Sequence, residues 1–151
     1  MSDASLLVHA TAVAIAGRAI LLRGPSGSGK SDLALRLIDA GAKLVADDQT
    51  ALSREGAAVV ARAPATIAGL IEARGIGILR VEALPAAPLA LLVDLVPAER
   101  VERLPEPSCE TILGLVIPKV AVAPFEASAA AKLRLALAAV GGETAIAAFH
   151  R

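Results

Sequence analysis

The segment Gly24-Pro25-Ser26-Gly27-Ser28-Gly29-Lys30-Ser31 lies between the apolar run Ala19-Ile20-Leu21-Leu22 and a stretch in which Leu33, Ala34, Leu37 and Ile38 recur at three- and four-residue steps. Buried strand, glycine-rich turn and amphipathic helix in that order restrict the fold more than any other feature of the chain. The glycines allow backbone N–H groups to converge on an anion without obstruction by Cβ atoms. The helix that follows aims the positive end of its dipole at the same point. The segment fits G-x-x-x-x-G-K-[ST], a phosphate-binding loop, so all of Gly24 to Ser31 are nucleotide-binding candidates. In such a loop Lys30 reaches β- and γ-phosphates and Ser31 offers its hydroxyl to a divalent ion, which makes ATP and Mg²⁺ the expected ligands.

Around this centre the chain reads as alternating short elements. Leu6 to Val8, Val13 to Ile15 and Ala19 to Arg23 predict a strand pair about a turn at Gly17-Arg18, and Ser31 to Ala40 predicts a helix stopped by Gly41. Leu44 to Ala46 predicts a buried strand. Thr50 to Leu52 and Ala58 to Ala61 predict a hairpin turning at Arg54-Glu55-Gly56 and closed by Pro64. A helical turn is expected over Thr66 to Leu70, a strand over Leu89 to Val96, a proline-bearing loop over Arg103 to Cys109 and extended chain over Ile117 to Val120. Phe125 to Val140 and Glu143 to Phe149 are alanine-rich and predict two helices separated by Gly141-Gly142.

The core must be aliphatic, because 56% of residues are hydrophobic while Phe125 and Phe149 are the only aromatic ones. Such a composition suits helices packed on a sheet. The expected fold is α/β: a P-loop nucleotide-binding domain with a central, mostly buried mixed β-sheet flanked by helices, in a single domain over 1–151. Fifteen basic and 15 acidic residues leave no net field to gather nucleic acid, so none is expected as a partner. No apolar run is long enough for a membrane helix, and Met1 to Gly17 lacks the basic start of a secretory signal, so a cytoplasmic protein is expected. The one cysteine, Cys109, has no internal disulfide partner and reads as a small apolar residue.

Three further segments can carry chemistry. Asp47-Asp48 follows the strand Leu44 to Ala46, at the strand end where open sheets place ligands, and a carboxylate there can hold Mg²⁺ or accept a proton from a hydroxyl. Adjacent side chains on an extended strand face opposite ways, so the two are expected to have different jobs. Glu72-Ala73-Arg74-Gly75-Ile76-Gly77 joins an acid and a base to glycines whose backbone either takes positive φ or approaches something closely. His9, read alone, is a polar residue at a sheet edge.

Taken together, these segments resemble the HPr kinase/phosphorylase family. The run His9 to Gly17 with Gly24 to Ser31 resembles its opening, Leu44 to Asp48 its acidic pair, and Leu70 to Ile78 the signature most specific to it. Glu102-Arg103-Leu104 and Ile117 to Val120 are weaker echoes. The resemblance implies an ATP-dependent kinase for a serine of HPr, the small phosphocarrier of the sugar phosphotransferase system. It also implies reversal by phosphate with release of pyrophosphate. By similarity, Ser31 and Glu72 serve the metal, and Asp47 or Asp48, with Asp47 favoured, acts as base. His9, Arg74 and Arg103 line the site, and the protein is a homo-oligomer, a hexamer. Long members carry an amino-terminal domain with no counterpart here, so the catalytic half alone is expected. Val81 to Pro88 is shorter than its counterpart, and Phe125 to Arg151 lacks the usual carboxy-terminal pattern. Two other readings stay open: a small-molecule P-loop kinase, for which no lid is evident, and a module that senses ATP without transfer.

Overall fold

The computed structural model describes residues 4–140. The first apolar stretch divides at His9 into β1 (Ser5–Val8) and β2 (Ala10–Ile15), and a turn leads into β3 (Arg18–Arg23). Three strands thus replace the expected pair. The division exists because β1 departs to pair with β5 (Thr50–Glu55), whereas β2 pairs with β3 on one edge and β4 (Lys43–Ala46) on the other. The helix after the glycine loop is α1 (Lys30–Asp39), within one residue of its expected bounds. β5 and β6 (Ala58–Arg62) form the expected hairpin.

The segment after β6 departs from expectation in detail. The helical turn is a 3-10 turn at Ala65–Ile67, and Leu70 already belongs to β7 (Leu70–Ala73), because it pairs with Arg80 of β8 (Gly77–Arg80). Next come β9 (Ala87–Leu95), β10 (Ser108–Ile112), β11 (Leu115–Val122) and α2 (Ala129–Val140). The proline-bearing loop ends earlier than expected, because Ser108 and Cys109 pair with Lys119 and Pro118, and Cys109 is exposed. Phe125 lies before α2 and not within it. The helix expected over Glu143 to Phe149 lies outside the described residues.

The main sheet runs β1-β5-β6-β9-β3-β2-β4, with β10 and β11 branching from β9. One edge of β9 carries β3 in parallel from Leu89 to Asp94; the other carries β6 at Ala87 and Pro88, then β11 in parallel from Leu92 to Leu95. The branching lets the sheet curl. Alternate residues then enter two separate cores: Val13, Ile20 and Leu22 pack with Leu33 and Leu37 of α1 and Leu133 and Leu137 of α2. Ala12, Ala14, Ala19 and Leu21 pack on the opposite face with Leu52, Val59 and Ile117. Alanines there let strands close over the second face, so both described helices lie on the first. No helix among the described residues is long and apolar enough to cross a membrane. β3, β4, β9 and β11 all end at the same edge of the sheet, which brings Gly24, Asp47, Val96 and Ala123 together.

Candidate active site

The phosphate loop leaves β3 at Gly24 and enters α1 through Gly29, whose φ of 101° places it in the left-handed region. A Cβ on Gly29 would also lie 2.9 Å from Cζ of Phe125, so conformation and contact both demand glycine. No side chain caps this helix, so its first N–H groups remain available to an anion. Lys30 is buried, and its Nζ donates to the carbonyls of Gly24 (2.7 Å) and Pro25 (3.1 Å). The ammonium is therefore held by the loop itself. The Ser28 hydroxyl oxygen is buried without a protein partner.

Asp47 and Asp48 differ sharply. Asp47 is buried, and its Oδ1 accepts from the Ser31 hydroxyl (2.6 Å) and the Thr11 hydroxyl (3.2 Å) while Oδ2 accepts from the backbone N–H of Glu72 (3.0 Å). Three donors on two oxygens fix this carboxylate between α1, β2 and β7. Asp48 has φ of 68°, a conformation aspartate tolerates better than most residues, and its side chain is exposed. Its Oδ1 lies 2.7 Å from Nε2 of His9. The backbone N–H of Asp48 donates to the Thr11 hydroxyl (2.9 Å), which thus receives from one aspartate and gives to the other.

The loop, the aspartate pair and the β7–β8 hairpin enclose a cleft of about 510 Å³. Ser26, Gly27, Gly29, Lys30 and Ser31, with Asp47 bonded to Ser31, line one wall, and Asp48, Glu72 and Arg74 the other. The structure thus brings together most of the residues singled out from sequence, with His9 behind Asp48. Pro25 and Ser28 line a neighbouring cavity instead, and Gly24 lines neither. Arg103 is exposed in the segment between β9 and β10 and is not among the residues lining the cleft. The hairpin glycines are explained by conformation: Gly75 and Gly77 have φ of 90° and 133°, while a Cβ on either would meet open space. Thr11 was not singled out from sequence. Its one signal is a fully buried hydroxyl position inside the apolar run of β2.

The donor set suits Mg²⁺. The Ser31 hydroxyl, the Asp47 carboxylate and the exposed Glu72 carboxylate are all hard oxygens on one cleft. Among the described residues no three His, Cys, Asp or Glu side chains form a ready metal cage. An ion here would therefore draw its remaining ligands from phosphate and water, as Mg²⁺ does at phosphoryl-transfer sites. Beneath the loop, Arg23 spans Asp94 (2.9 Å) and Glu110 (2.8 Å), locking the end of β3 to β9 and β10. The hydrogen bonds from Arg23 hold the Glu110 carboxyl down to about 2, and the paired carboxylates raise the guanidinium in turn.

The sequence matches the family described as HPr Serine kinase C-terminal domain over residues 3–134. The HPr kinase/phosphorylase of Leptothrix cholodnii is 42% identical over 128 residues, which cover 76% of this chain and 39% of that protein. That of Limosilactobacillus reuteri is 36% identical over 127 residues, with 76% and 40% covered. The chain thus spans about two-fifths of the length of these relatives. Among solved structures, the Hpr(Ser) kinase/phosphatase from Coxiella burnetii superposes with a TM-score of 0.75 at 30% identity, covering 91% of this chain and 89% of that one.

Proposed function

The chain belongs to the HPr serine kinase C-terminal domain family, and from that premise we propose that it transfers the γ-phosphoryl group of ATP to a serine hydroxyl of HPr and reverses the transfer with inorganic phosphate. One observation carries the reading: a single cleft sets an uncapped helix start and Lys30 opposite an exposed carboxylate, Asp48, backed by His9. Charge stabilisation and proton transfer, the two things this chemistry needs, face each other there.

Backbone N–H groups of the loop and of α1 hold the phosphates, and Lys30 leaves the Gly24 and Pro25 carbonyls to join them. Bound Mg²⁺, held through Ser31, Asp47 and Glu72, would offset the charge of the β- and γ-phosphates. Of the two aspartates, geometry favours Asp48 as base and not Asp47. Asp47 is buried and already accepts from Ser31, Thr11 and the Glu72 N–H, which leaves its carboxylate room for a metal contact but not for an arriving hydroxyl, whereas Asp48 is exposed and open to one. Asp48 takes the serine proton as the serine oxygen bonds to the γ-phosphorus and the bond to the β,γ-bridging oxygen breaks, releasing ADP. In reverse, a phosphate oxygen attacks the phosphoserine phosphorus. The bond to the serine oxygen breaks, Asp48 returns its proton to that oxygen, and pyrophosphate leaves. His9 orients the Asp48 carboxylate, and Arg74 lies where it can meet the transferred group. The chemistry belongs to the cytoplasm, where ATP and HPr are available.

The test is incubation of the chain with HPr and γ-labelled ATP with Mg²⁺, followed by mapping of the label. The reading expects label on a serine of HPr. Label on a small metabolite, or ATP binding with no transfer, would replace it with a metabolite kinase or a sensing module.

A further inference from the structure

On the other side of the phosphate loop from Asp47 and Asp48 lies a second cavity, of about 660 Å³. Val96, Pro97 and Ala98 line it from the end of β9, Pro124 and Phe125 from the end of β11, and Pro25 from the loop itself. Its charged lining residues, Arg100 and Glu126, are both exposed, so the cavity presents apolar walls and little to recognise a charge. Ligand sites of this size and character take flat or apolar groups.

Two contacts tie the cavity to the phosphate loop. Phe125 lines both cavities and lies against Gly29. Arg36 of α1 donates to the carbonyls of Pro124 and Glu126, so the helix that begins the phosphate site also holds the cavity's outer wall. A group joined to phosphates on this loop can leave in two directions. The Asp48 side is acidic and must stay open for the acceptor hydroxyl, which leaves the apolar side.

We propose that the cavity between the ends of β9 and β11 takes the nucleobase of the nucleotide, gripping its faces between apolar walls and reading its edges weakly. The inference rests on the phosphate-loop reading given under Proposed function. Weak edge reading follows from the lining: discrimination by large factors requires several buried polar groups that the wrong base would leave unpaired, whereas the buried polar side chain here is Ser28, whose single hydroxyl can turn to donate or to accept and so suits either purine edge. Adenine and guanine nucleotides should accordingly bind within about tenfold of each other.

The experiment measures binding of ATP, GTP and inorganic tripolyphosphate, each with Mg²⁺, to the full chain by calorimetry. Tripolyphosphate keeps the phosphates and lacks the base. The wild type should bind ATP about tenfold or more tighter than tripolyphosphate. Ala98→Trp fills the cavity from an exposed position, which keeps the core intact. It should bring ATP and GTP to the level of tripolyphosphate while leaving tripolyphosphate unchanged. Equal wild-type affinities for ATP and tripolyphosphate would overturn the base site, as would an Ala98→Trp chain of native circular dichroism that binds ATP as before or loses both ligands alike. Absence of binding by either ligand to the wild type would remove the phosphate-loop reading itself, a distinct result.

Discussion

The two walls of the acidic cleft are built on opposite principles. On one, Lys30, Ser31 and Asp47 are tied into a lattice that includes the carbonyls of Gly24 and Pro25, the Thr11 hydroxyl and the Glu72 N–H. On the other, Asp48 follows β4 at a residue of positive φ, and Glu72 and Arg74 project from a separate two-stranded hairpin, with His9 as the partner of Asp48. A ligand that always has the same shape can be met by a rigid receptacle; a partner that must dock, react and leave needs open side chains. On the function proposed above, the difference suits the rigid wall to the phosphates and the open wall to the acceptor.

Removing the charge at the centre of the rigid wall should have the largest effect. Lys30→Ala should fold, since the alanine keeps helix propensity at the first position of α1, yet lose about 10²–10³-fold in transfer. Rapid-quench assays with HPr check this, and unchanged turnover would break the assignment of that wall. Thr11→Val should come next, because it leaves the Asp48 N–H unpaired and takes a donor from Asp47. We expect activity to fall about 10–100-fold with a raised Mg²⁺ requirement, the response of a group that positions a metal-serving carboxylate. A loss of stability with normal metal dependence would make Thr11 merely structural.

These contrasts were unevenly legible in the chain. Gly24 to Ser31 declares itself because the loop is local: its glycines, lysine and serine are neighbours in sequence and in space. The Asp47-Asp48 pair was visible, and so was the expectation of different jobs; the resemblance favoured Asp47 as base, while the geometry that sets the two apart was hidden. That depends on Thr11, 36 and 37 residues away, whose hydroxyl bonds to both. His9 read as an edge residue because its partner is 39 positions distant. The division of the first strand at His9 was likewise hidden, since one polar residue between apolar runs does not by itself mark a change of pairing partner. The second face closes without helices for a related reason. Alanine in β2 and β3 is as compatible with a covering helix as with a curling sheet.

Smaller effects sharpen the comparison. Glu72→Gln removes a carboxylate from the open wall while keeping the backbone N–H that serves Asp47. The apparent Mg²⁺ requirement should rise about tenfold, and a metal titration identical to wild type would take Glu72 out of the metal's surroundings. The smallest effect lies beneath the cleft. Glu110, held at about 2 against an ordinary 4.5 chiefly by its hydrogen bonds to Arg23, contributes stability that is complete above pH 4.5 and is lost as pH falls through about 2. Because the pair is partly exposed and screened, its contribution is about 1 kcal/mol. Urea melts of Glu110→Gln should lose that pH dependence, and an unchanged slope would show that the pairing does not stabilise the fold.

The most direct test of the account asks whether one exposed carboxylate moves the proton in both directions. Wild type, Asp47→Asn and Asp48→Asn would be compared for phosphorylation of HPr by ATP and for pyrophosphate release from phosphoserine-HPr and phosphate, with ATP binding measured alongside. Asp48→Asn should lose about 10²–10⁴-fold in both directions while binding ATP as wild type does, and Asp47→Asn should weaken Mg²⁺-dependent nucleotide binding. If Asp48→Asn retains either direction, or if Asp47→Asn shows the pure catalytic loss instead, the assignment of the open wall to proton transfer is wrong.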